Sequence, residues 1–296
     1  MDALSQQARS ETRFRVRLGE RRTFVDRALT LMAIGLGASA LLPLFSVLYM
    51  LVVRGSPLLS LGLFTELTPG AGMDSGGIGN AILGTVVVVT LAATISLPLG
   101  LFAAIYLAEY GAESRLSVVV RFAGKVLSGM PSILAGVFAY AIAVSALGSF
   151  SAFAGGVALA ILIVPTVMLT AEEALRLVPS KMKQAALGMG ATRAQMVTKV
   201  LIPTAMPGIL TGVMLALSRA AGETAPLLLT ALFSDYWFDG KLDQPIASLA
   251  VLIYNFSGSP FEHQVNLAWA ASLVLVVLVL LFNILAQAVT RRPEEH

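Results

Sequence analysis

At 296 residues, with 57% hydrophobic and 12% charged side chains and a mean hydropathy of +0.83, the chain has the composition of an integral membrane protein and not of a soluble globular domain. It has no cysteine and two histidines, which excludes disulfide frameworks, thiolate metal sites, cysteine nucleophiles and a histidine metal cluster. The net charge of +3 says little about a substrate, because most of the basic residues act as topology signals.

A hydrocarbon core about 30 Å thick takes roughly 20 apolar residues of helix. Residues 1–27 read as a basic cytoplasmic tail and residues 28–53 as the first membrane span. The Arg-rich start and the sequence Ala38-Ser39-Ala40 are also compatible with a cleavable secretory signal. The apolar run continues to Val53, so a retained helix is expected. Residues 75–290 hold the remaining five spans. The second lies within 75–108, and the charge-free window 126–171 is too long for one helix. Its Gly- and Ser-rich stretch 147–156 predicts a tight turn between spans three and four. Spans five and six are expected at 207–232 and 265–290, and residues 291–296 form a short tail.

Lys and Arg are retained on the cytoplasmic side of short loops, so their positions test this assignment. With the N-terminus inside, all but three of the 20 basic residues fall at cytoplasmic ends; Arg54 and Lys241 lie outside, and Arg219 lies within the fifth span. The expected fold class is therefore all-α, with six transmembrane helices and both termini cytoplasmic. The loop at 233–264 is external, with Tyr236, Trp237 and Phe238 as an interfacial belt and residues 245–256 as a short helix either on the outer surface or packed on the bundle. Pro98 and Pro131 are expected to kink their helices.

The cytoplasmic segment 172–208 predicts helix, turn, helix. Residues 181–187 favour helix, Gly188 and Gly190 permit a turn, Thr192 can cap the next helix, and Pro203 and Pro207 limit it. Leu187, Met189, Met196, Val197 and Val200 form one apolar face, suited to docking in a partner's groove. The segment resembles the coupling loop of ABC-importer permeases, whose pattern is Glu-Ala-Ala, three residues, Gly, nine residues, then Ile-x-Leu-Pro. Gln184, Ala185, Ala186, Gly190, Val200, Ile202 and Pro203 stand at the matching offsets, with Gln184 in place of the usual Glu. The resemblance implies that separate ATPase subunits dock there. The chain itself carries no G-x-x-x-x-G-K-[ST] phosphate loop, so it is not expected to be an enzyme; ATP and Mg would be held by the partners and no cofactor or metal by this chain.

"SRAAGETAPLLLTAL" at 218–232 places Arg219 and Glu223 on one helical face inside a span. A charge at mid-bilayer costs about 2.5 to 3.5 kcal/mol, so the pair is expected to point into the bundle or a water-filled path. Pro226 leaves the Gly222 carbonyl without a helical donor, so a break is expected within Gly222-Glu223-Thr224-Ala225-Pro226. The N–H groups opening the outer half would then face an approaching anion. Arg219 can grip a tetrahedral oxyanion with two donors. Glu223 can accept the proton that phosphate still carries at neutral pH and sulfate lacks. Chemistry alone leaves this reading level with a structural Arg–Glu pair holding two helices in register.

The same segment, with "QPIASLAVLIYNFSGSP" at 244–260 and "LSGMPSILAGVFAY" at 127–140, is similar to the PstA-type permease subunits of phosphate-specific ABC importers. The resemblance covers about residue 75 to the end. It implies the type I ABC importer permease fold and ATP-driven phosphate import across the bacterial inner membrane. The implied partners are a PstC-type second permease, two ATPase subunits and an external phosphate-binding protein; no nucleic acid is implicated. It also implies a transport role for Arg219 and Glu223, with Gly222, Thr224 and Pro226 beside them. The alternatives are a permease for sulfate or another oxyanion, and an autonomous channel or proton-coupled carrier using the pair as a relay.

Overall fold

A computed structural model describes residues 21–111 and 114–290. The basic residues ahead of Arg21, together with Arg291 and Arg292, lie outside the described residues. Among the described residues the secondary structure is helical throughout. Residues 1–50 and 51–296 divide into two units. The described part of the first is the body of helix α1 (Arg21–Gly55), which runs without interruption through Ala38-Ser39-Ala40 and Pro43.

The second unit contains the remaining elements, beginning with a 3-10 turn (Ser56–Leu58) and a five-residue helical turn (Leu61–Thr65). Helix α2 (Gly79–Ile105) carries Pro98 within it and closes in a π turn, Tyr106–Tyr110. Helix α3 (Arg115–Ser128) is followed by α4 (Ser132–Ala139), which continues through a π turn to Leu147. Next come α5 (Ala152–Arg176), α6 (Ser180–Gly188) and α7 (Arg193–Met196). A π turn at Val197–Leu201 joins α7 to α8 (Ile202–Ala221). The single turn α9 (Ala225–Leu228), the short helix α10 (Leu249–Ser257) and α11 (Glu262–Thr290) complete the order.

Helix α5 is the centre of the unit, with α2 and α8 against it. In a bilayer the lipid is as apolar as leucine, so helices associate through close packing of small residues. Ala154, Gly155, Gly156, Ala158 and Ala160 supply that surface on α5 and are buried. On α8, a Cβ at Gly212 would stand 2.3 Å from the Thr170 hydroxyl of α5, which shows how closely the two backbones approach. Thr170 directs its own hydroxyl to the Thr166 carbonyl at 2.9 Å, so the polar side chain costs the span no unpaired donor.

The expected turn between spans three and four is present: Gly148 adopts φ +72 and Ser151 caps α5 through the Ala154 N–H. The kink expected at Pro131 is a sharp one: α3 and α4 meet at a 107° bend across Gly129, Met130 and Pro131. Proline cannot donate to α3, and the residue before it is pushed out of the α region, so the helix ends there. The fifth span begins earlier than 207, because helix runs on through Pro203 and Pro207. The π turn makes this possible: the Ile202 N–H reaches back to the Val197 carbonyl, and the extra residue relieves the clash that Pro203 would impose on the preceding turn. Of the two placements open to residues 245–256, the structure has the one packed on the bundle. Ile246, Ala247, Leu249, Val251 and Leu252 are buried, and α10 packs on α2 and α11. The Thr85 hydroxyl of α2 accepts from the Leu249 N–H at 2.8 Å, which gives the buried start of α10 a partner.

Candidate functional site

Helix α8 ends at Ala221, and the chain turns through Gly222, Glu223 and Thr224 before α9. The expected break is therefore present, with the Gly222 N–H on the Arg219 carbonyl and the Glu223 N–H on the Ala220 carbonyl. The outer half is shorter than expected. Four residues of α9 do not make a helix whose opening N–H groups could form an anion site, and Pro226 contributes none.

Arg219 and Glu223 line one crevice with Leu127 and Ser128 of α3, Met130 of the bend, Leu162, Ile163 and Thr166 of α5, and Ala216 and Ala220 of α8. Residues 162–166 are the middle of the 25-residue α5, so the crevice sits near mid-span. The Glu223 side chain is 17% exposed and the Arg219 side chain 65%. Arg219 thus stands on the open side of the crevice and not in the packed interior of the bundle. The two are joined by a single contact, Arg219 Nε to Glu223 Oε1 at 3.4 Å, and no other hydrogen bond of the guanidinium occurs among the described residues. The pair links adjacent turns of one chain segment. Within this chain it holds no two helices in register.

Of the other expected path residues, Gly222 is exposed beside the pair. Thr224 turns toward the Ala250 carbonyl of α10 at 3.5 Å, and Pro226 is buried against Gly136 of α4. Ser128 and Thr166 supply polar atoms of the crevice that sequence reasoning passed over. Ser128 lies in the "LSGMPS" stretch next to Pro131, and that stretch was the one available signal.

The cytoplasmic hairpin is built as expected up to its second helix. Gly190 turns the chain at φ +87, and Thr192 and Gln195 form a reciprocal capping box on α7. The expected single apolar face is divided: Met196 and Val197 are buried in the core, while Leu187 and Met189 are exposed. Gln184, Ala185 and Gly190 are exposed, Ala186 is buried, and Val200, Ile202 and Pro203 are half-buried at the start of α8. The matched positions therefore separate into an exposed tip and a base packed on the core. A Cβ at Gly190 would meet no atom within 4 Å, so a substitution acts through the backbone alone. Gly190→Val should cost about 1 to 2 kcal/mol at this positive φ and, at the coupling loop that the resemblance implies, loosen docking of the ATPase. Co-purification with the ATPase checks this; unchanged docking and unchanged ATPase activity would count against a role for the turn.

On the external side, Lys241 and Asp239 form an exposed pair at 3.0 Å. The hydrogen bond between them lowers the Asp239 carboxyl from its ordinary value and raises the Lys241 ammonium.

Residues 96–295 match the family described as binding-protein-dependent transport system inner membrane component. The phosphate transport system permease protein PstA of Yersinia pestis is 44% identical over 243 residues, spanning 82% of this chain and 82% of that protein. A probable phosphate transport system permease protein PstA of Methanocaldococcus jannaschii is 36% identical over 259 residues, spanning 87% and 88%. Among solved structures, a chain of a bacterial alginate ABC transporter, in complex with an alginate pentasaccharide-bound periplasmic protein, superposes with a TM-score of 0.65. It is 14% identical and covers 93% of this chain and 98% of its own. A chain of the inward-facing MetNI methionine ABC transporter superposes with a TM-score of 0.59 at 22% identity, covering 73% and 93%. At these identities the likeness speaks for the fold, which is that of ABC importer permeases. The chain is a multi-pass membrane protein that belongs to the binding-protein-dependent transport system inner membrane component family, and within it to the PstA-type permeases.

Proposed function

We propose that the chain is the permease subunit of an ATP-driven importer that carries inorganic phosphate inward across the bacterial cytoplasmic membrane by alternating access. Family membership supports an assembly with an ATPase and a substrate-binding protein. The finer composition belongs to the proposal: one PstC-type permease as the second half of a heterodimer, two ATPase subunits at the hairpin tip around Gln184 to Gly190, and an external phosphate-binding protein. ATP and Mg are held by the ATPase subunits. The relatives' names supply the substrate class.

The observation that carries the reading is the asymmetry of the charged pair. Glu223 is sequestered in the crevice, whereas Arg219 is 65% exposed and spends a single long contact on it. Most donors of the guanidinium are left for an anion, and a planar fork suits a tetrahedral oxyanion. Its exposure from this chain fits a path formed between two permease subunits. Glu223 beside it can accept a hydrogen bond from the P–O–H of hydrogen phosphate, a donor that sulfate lacks. An autonomous channel would have no use for an exposed docking hairpin.

The test is ATP hydrolysis by the reconstituted complex with binding protein loaded with phosphate or with sulfate. Stimulation by phosphate and little by sulfate is expected. Equal stimulation by both would overturn the substrate assignment and leave a general oxyanion permease.

A further inference from the structure

The hairpin tip and the crevice at Arg219 are joined covalently by α7 and α8, so a moving hairpin carries the Arg219 wall with it. The opposite wall, Leu127 and Ser128 with Met130, belongs to α3 and its bend, which have no direct chain connection to the hairpin. A series of polar contacts supplies one. Lys183 of α6 is ion-paired with Glu109, with side chains 19% and 11% exposed. The Arg193 guanidinium of α7 lies 5.9 Å from the centroid of the Tyr110 ring. Glu109 and Tyr110 belong to the π turn that closes α2, and the Leu107 carbonyl of that turn accepts from Arg121 Nη2 at 2.8 Å. Arg121 stands on α3. Its Nε also donates to Glu172 Oε1 of α5 at 2.6 Å, and Arg176 binds the same oxygen at 2.9 Å.

Arg121 therefore clamps α3 to the two helix ends that adjoin the hairpin: the end of α2, which α6 and α7 grip, and the end of α5, from which α6 follows. Charge-assisted hydrogen bonds between partly buried groups are the strong ones and transmit displacement with little give. Two turns beyond Arg121, α3 reaches the crevice and then the 107° bend.

We propose that Lys183, Glu109 and Arg121 are positioning residues that carry motion of the cytoplasmic hairpin into α3 and shift the wall facing Arg219, with Gly129 to Pro131 as the hinge. The inference rests on the reading of the chain as an ATP-driven permease. Buried ion pairs are weak stabilisers, so a contribution to stability alone would not account for this chain of contacts.

The chain lacks cysteine, so spin labels can be attached to introduced cysteines at Val119 and Val137, exposed residues on either side of the bend. The distance between them is measured in the full complex with and without ATP, using hydrolysis-deficient ATPase subunits. A nucleotide-dependent change is expected in the otherwise unaltered chain. Glu109→Gln and Lys183→Met should each abolish it and, with active ATPase subunits, lower the phosphate carried per ATP by about tenfold while hydrolysis continues. The charge-swapped double variant, Glu109→Lys with Lys183→Glu, should restore both. An unaltered label response in the single variants, a swap that fails to restore it, or an unaltered chain whose labels do not respond would each overturn the proposal. If a single variant does not assemble, the double variant decides, because it must respond as the unaltered chain does. A normal label response with transport of an anion other than phosphate would sink only the substrate assignment.

Discussion

Arg219→Gln should lower ATP-driven phosphate uptake by at least about a hundredfold while leaving the complex assembled. Glutamine keeps amide donors but not the charge or the fork. Hydrogen bonds to a charged group contribute about 1.5 to 3 kcal/mol each, and about 2.8 kcal/mol is a hundredfold. The side chain is 65% exposed from this chain and makes one long contact, so its removal should leave folding of the subunit nearly unchanged. Arg219→Lys should fall between, because it keeps the charge and loses the paired donors. The measurement is uptake into proteoliposomes, with co-purification of the ATPase as the control for assembly. Uptake within about threefold of normal would remove Arg219 from the path.

Gly84→Ala should have the largest effect on stability. A Cβ at Gly84 would stand 1.9 Å from the Ala247 carbonyl oxygen and 2.9 Å from Ile246 Cγ1. The obstructing atom is backbone, held in place by the neighbouring bond from the Leu249 N–H to the Thr85 hydroxyl. Relief requires withdrawing the whole segment that leads into α10, at a cost of about 3 kcal/mol or more. Gly188→Ala is the control, since a Cβ there meets nothing within 4 Å and alanine favours the helix. Thermal unfolding in detergent compares the two. A Gly84→Ala protein as stable as the Gly188→Ala protein would show that α10 does not pack where it is described.

The membrane spans were legible because hydropathy and the placement of Lys and Arg are long-range averages that single residues do not disturb. The hairpin was legible because turn glycines and caps act locally: Gly190 and Thr192 do what their chemistry predicts. The break after Ala221 was legible for the same reason. What escaped was set by partners distant in sequence. Arg121 reads as a topology signal until Glu172, 51 residues away, is placed beside it. Apolar character in 246–256 cannot say whether the segment lies on the surface or folds back; the contact of Gly84 with Ala247 decides it. Arg219 was expected to face the bundle or a water-filled path, because a lone charge in a span needs shelter. Its place on the open side of the crevice follows from how α3, α5 and α8 pack, which no local signal around it carries.

The π turn at Val197–Leu201 also sets an angular phase. A π turn holds one residue more than an α-helical turn, so it rotates everything downstream by about 100° relative to everything upstream. The azimuth at which Arg219 leaves α8, measured against the hairpin, is thus set by five residues more than a dozen positions away from it. Were the turn wound as α-helix with all five residues kept, Pro203 would be driven into the turn before it and Arg219 would leave α8 about 100° from its present azimuth, although no residue of the crevice had been touched; deleting one residue of the turn would straighten the helix and keep that azimuth.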